Sequence, residues 1–129
     1  MPGAEVLELQ RFLRGEVAPE RFPHREHVRM AHALLARRPF ERAVPLYARA
    51  LRRITARAGR PEAFNLTITV ALLALIDAAR RASPGLDFEG FAAEHPELFE
   101  RGLLERWYRP GQLACPQARG SFVLPDPAQ

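Results

Sequence analysis

The chain has 129 residues, 47% of them hydrophobic, enough to build one core and too few for two, so a single domain over residues 1–129 is expected. No run of about 18 uninterrupted apolar residues occurs, which excludes a segment that reads as a spanning helix. The net charge of +4 invites a nucleic-acid reading, and the single cysteine, Cys115, excludes an internal disulfide and a thiolate-rich metal site.

All 19 basic residues are arginine. With the richness in Ala, Pro and Leu, this is the composition of a GC-rich bacterial genome rather than of selection for phosphate contacts, and nucleic-acid binding ranks behind other readings. The opening residues MPGAEVLELQRF lack the basic stretch and small-residue cleavage site of a secretory signal, so the cytoplasm is the expected compartment.

In chain order, residues 4 to 14 carry Val6, Leu7, Leu9, Phe12 and Leu13 at amphipathic spacing and stop at Gly15. After the loop EVAPERFP, Pro23 suits the first position of a second helix, predicted from His24 to Arg38 and broken by Pro39. From Phe40 to Ala58 the residues Val44, Tyr47, Leu51, Ile54 and Ala58 line one face, while Arg42, Arg49, Arg53 and Arg60 line the other. Pro45 predicts a kink there or a short first turn. A fourth helix, Glu62 to Ala82, is apolar nearly all round and reads as the buried centre of the bundle.

Asp87 then caps a short helix bearing Phe88, Phe91 and Ala92, and ELFERGLLERWY reads as another short helix after His95-Pro96. Gln112 to Cys115 allows at most one turn. Residues 120–129 hold too much proline for helix and are expected to be extended against the bundle, anchored by Phe122 and Val123, or free. The class is all-α, a bundle of about five to seven helices with an irregular C-terminal tail.

Three constellations carry chemistry. In PHREHVRMAH, His24 falls in the middle of the arc of Val28, Ala31 and Leu35, His27 at its edge and His32 outside it. His24 and His27, one turn apart, can present two imidazoles to one ligand or metal, or can simply bond to loop carbonyls at the helix start. A helix N-terminus disfavours imidazolium, so both read as neutral rings able to accept a proton. On the fourth helix Asn65 and Thr69 begin an otherwise apolar stripe, and they either meet the histidines or bond back to the helix backbone. Finally Trp107, Tyr108, Cys115, Arg119 and Asp126 cluster in an irregular segment. Arg119 there either binds an anion over a pocket or caps a helix end.

The stretches FPHREHVRMA (22–31), FNLTIT (64–69), FAAEHPEL (91–98) and WYRPGQLACPQARGSFVLPD (107–126) together resemble a family of small bacterial helical proteins of unassigned function. That family's pattern is roughly F-x-H-x-x-H-x-x-x-A, Y-H-x-T-x-T and A-R followed by P-D. The resemblance implies a third histidine at the position of Asn65, hence a cluster that would hold a divalent metal with His24 and His27. Asparagine is a poor ligand for a transition metal, so the expectation here is a hydrogen-bonding pocket instead.

The leading expectation is therefore a small-molecule pocket of His24, His27, Asn65, Thr69, Tyr108 and Arg119, with His24 and His27 as the acid-base pair. The alternative is a non-catalytic subunit that pairs with itself or with an enzyme through Phe99, Trp107, Tyr108 and the tail. Nucleic-acid binding through the arginine face of the third helix ranks third.

Overall fold

A computed structural model describes residues 3–127. Six α-helices form: α1 (Ala4–Leu13), α2 (His24–Leu35), α3 (Phe40–Arg57), α4 (Leu66–Ala82), α5 (Phe88–Glu94) and α6 (Pro116–Gly120). Short 3-10 turns stand at Pro19–Arg21, Pro61–Ala63, Pro96–Phe99, Leu103–Arg106 and Gln112–Ala114. No strand forms among the described residues, and no helix among them is long and apolar enough to cross a membrane. The all-α, single-domain bundle expected from the sequence is what the chain adopts.

The boundaries follow local chemistry. Gly15 ends α1 with φ +73°, and a Cβ there would lie 2.6 Å from Cβ of Arg53, so both conformation and space demand glycine. The fourth helix starts four residues later than the periodicity predicts. Pro61–Ala63 forms its own 3-10 turn, and Asn65 is the N-cap of α4, its side chain accepting the Ile68 N–H at 3.0 Å. Asp87 caps α5 in the same way through Gly90 N–H, at 2.8 Å. α3 runs unbroken through Pro45, which is exposed.

ELFERGLLERWY does not form the expected helix. Gly102, at φ +73°, divides it into two 3-10 turns. An additional helix, α6, forms at PQARG, where Pro116 occupies the first position.

Phe12, Met30, Leu34, Tyr47, Leu73, Ile76 and Phe91 are fully buried and interlock α1 to α5 in one core. α4 lies at the centre, packed against α2, α3 and α6, while α5 and the Pro96–Phe99 turn close over α2. That closure brings Leu98 to the first turn of α2. α2 is buried all round in its second half, so His32 is only 6% exposed, whereas His24 at its open end is largely exposed. The helical phase taken from Val28, Ala31 and Leu35 thus fails for both residues, because position along the helix outweighs its face.

The tail is strapped down, and mainly by its backbone. Buried Thr67 donates its hydroxyl to the Ser121 carbonyl at 2.7 Å and accepts the Val123 N–H at 3.1 Å. Tyr108 donates to the Val123 carbonyl, Gln112 exchanges hydrogen bonds with Leu124 and Asp126, and Arg109 pairs with Asp126. Phe122, expected as an anchor, is 43% exposed. Of the expected tail, residues 128 and 129 lie outside the described residues.

Candidate functional site

A cleft of about 780 Å³ opens between the first turns of α2 and α4, the middle of α3 and the segment 99–105. Its walls are mostly apolar, built from Leu51, Phe64, Ile68, Leu72, Phe99 and Leu113 among others. His24, His27, Asn65 and Thr69 all line it, together with Thr55 and with Tyr47, expected only as part of the apolar face of α3. Glu100, Arg101 and Glu105 stand on the side formed by the 99–105 segment.

Each polar side chain inside the cleft is already engaged on one side. Nε2 of His24 lies 2.9 Å from the Leu98 carbonyl and must donate, since a carbonyl only accepts. His27 packs edge-on against Phe22, with ring centroids 4.7 Å apart. Its pKa is pushed down to about 4, first by burial and then by the neighbouring His24. Tyr47 donates to the His27 carbonyl at 2.8 Å, and burial raises its phenol pKa.

Asn65 has a double commitment. Its oxygen caps α4 while its amide donates to the Leu113 carbonyl at 2.7 Å. Thr69 bonds back to the Asn65 carbonyl at 2.8 Å, the local option that hydroxyls take on helices. The polar start of the α4 stripe therefore serves the helix first. What it leaves to the cleft is a set of unused lone pairs and one amide N–H.

Tyr108 and Arg119 do not reach this cleft. Tyr108 is buried at 4% exposure and holds the tail, while Arg119 donates to the Glu62 carbonyl at 3.0 Å and so ties α6 to the Pro61–Ala63 turn. Phe99 lines the cleft and packs near His24, and only Trp107 of the three aromatics expected on an interaction face is exposed, at 47%. On the arginine face of α3, Arg53 is spent on the Leu13 carbonyl.

The described residues hold no group of three or more His, Cys, Asp or Glu placed to bind a metal ion. With His24 turned to Leu98 and Asn65 committed to its cap, the donor set does not fit a divalent transition metal. No family model, curated protein or solved structure matches the chain.

The hydroxyls missed by the sequence reading had a visible signal. Tyr47 sits in the apolar face of α3, and a buried phenol needs a partner. That partner, the His27 carbonyl, belongs to a different helix and is not encoded in any spacing.

Proposed function

We propose that the protein binds a small, largely apolar organic molecule in the cleft between α2, α3 and α4, with His24 and His27 at its polar end. The observation that carries this reading is the combination of a ligand-sized, apolar-walled concavity with a few convergent polar groups, the common form of small-molecule sites. His27, with its pKa depressed to about 4, is a neutral hydrogen-bond acceptor at neutral pH. A base that weak is poorly matched to proton abstraction near pH 7, so recognition rather than acid-base catalysis is its role.

The neutral fluorophore N-phenyl-1-naphthylamine tests the reading. Saturable one-site binding is expected, and Leu51→Trp, which fills the cleft from the α3 side, should weaken it by a factor of about ten or more. Unchanged binding by a Leu51→Trp variant whose circular dichroism matches the parent would contradict it.

A further inference from the structure

The cleft holds six polar side chains on its α2, α3 and α4 walls, and five of them give a hydrogen to a backbone carbonyl. His24 donates to Leu98, Tyr47 to His27, Thr55 to Arg52, Asn65 to Leu113 and Thr69 to Asn65. A neutral imidazole has one N–H, and a hydroxyl has one O–H. Once these are spent, the tyrosine and the two threonines have only lone pairs left, and His27 keeps the lone pair of its neutral ring.

The leftover valences are therefore one-sided. Asn65 keeps one amide N–H and a second lone pair on an oxygen that already accepts Ile68. The remaining side-chain donor is Arg101, which stands with the carboxylates of Glu100 and Glu105 on the 99–105 segment. Across from it, the walls offer acceptors almost exclusively.

We infer that the ligand of this cleft is an apolar, hydrogen-bond-donating molecule, an aromatic amine or phenol, and that the site discriminates against carboxylates and phosphates of the same shape. The inference rests on the cleft being the binding site. A donor placed among these lone pairs gains partners without disturbing the fold. An anion in the same place brings further lone pairs, loses its hydration and faces hydroxyl oxygens that have no hydrogen left to offer. The depressed pKa of His27 works in the same direction, because it keeps the ring from becoming a second donor at neutral pH. Sites built on hydrogen bonds discriminate strongly against analogues with the wrong polarity, since the buried groups on one side are then left unpaired.

Four probes with one naphthalene body separate the terms: 2-naphthol, 2-naphthylamine, 2-methylnaphthalene and 2-naphthoate, each titrated calorimetrically into the full chain at pH 7.5. The two donor probes should bind about tenfold or more tighter than 2-methylnaphthalene, and 2-naphthoate more weakly than 2-methylnaphthalene. In His27→Phe, which keeps a ring against Phe22 but removes the lone pair, the advantage of 2-naphthol should shrink severalfold while 2-methylnaphthalene is unaffected. Equal affinity for all four would overturn the donor preference yet leave the cleft as an apolar site. Tightest binding by 2-naphthoate would also overturn it, and would assign recognition to main-chain N–H groups or Arg101. Binding by none of the four would overturn the cleft reading itself.

Discussion

At the scale of single residues, His27 sets the most direct pH dependence. Its folded pKa of about 4 lies below its ordinary value of 6.5, because burial and the adjacent His24 oppose the charged ring. Between those values the unfolded chain takes up a proton that the folded chain refuses, so stability is complete above about pH 6.5 and falls as pH drops toward 4. Buried His32 shifts in the same direction, by burial first and by Arg80 next, and adds to the loss. Denaturant unfolding should show about 2 kcal/mol or more lost between pH 7 and 4.5, with a smaller loss in His27→Phe. A pH-independent midpoint over that range would contradict the burial of both rings. The placing of His24 and His27 side by side was legible in the sequence, as was the neutrality of His27 in outline. The burial of His32 was not, because it depends on Phe88 and Phe91, whose rings close over it from α5.

At the scale of elements, two threonines two residues apart on α4 do different work, and their substitution tests the tail strap. Thr67 links the helix to Ser121 and Val123, so Thr67→Val leaves a carbonyl and an N–H without partners and should cost about 1–3 kcal/mol. Thr69 donates to the Asn65 carbonyl, which already accepts the Thr69 backbone N–H, so Thr69→Val should cost less than about 1 kcal/mol. Equal losses in thermal or chemical unfolding would mean that the tail is not held through Thr67. The alternation of proline, glycine and apolar faces made five of the six α-helices legible. Three failures have separate causes. Asn65 is a better cap than the Pro61 region, so α4 starts late. Gly102 takes a left-handed conformation that a helix through ELFERGLLERWY cannot contain. The tail's anchors are main-chain groups, which leave no trace in side-chain patterning.

At the scale of the whole molecule, α4 has three roles in the fold. Its inner residues Leu73 and Ile76 complete the core, its first turn forms one wall of the cleft, and Thr67 on that turn fastens the C-terminal segment. The fold class followed from periodicity; His24, His27, Asn65 and Thr69 line one cleft, while Asn65 and Thr69 bond to the helix backbone, the other option left open in the sequence. Arg119 and Tyr108 joined them only on paper. Chain proximity to the tail suggested a lid, whereas the strap closes on the side of Thr67 and draws both residues away from the cleft.

The central claim is that the ligand site is the cleft between α2, α3 and α4. A two-dimensional ¹H–¹⁵N correlation spectrum recorded during titration with 2-naphthol tests it most directly. Saturable shifts are expected at His24, His27, Asn65, Thr69 and the 99–105 segment, with the amides around Trp107 and Asp126 unmoved. Shifts that instead gather around Trp107, Arg109 and Asp126, the residues of the second concavity beside the tail, would contradict it.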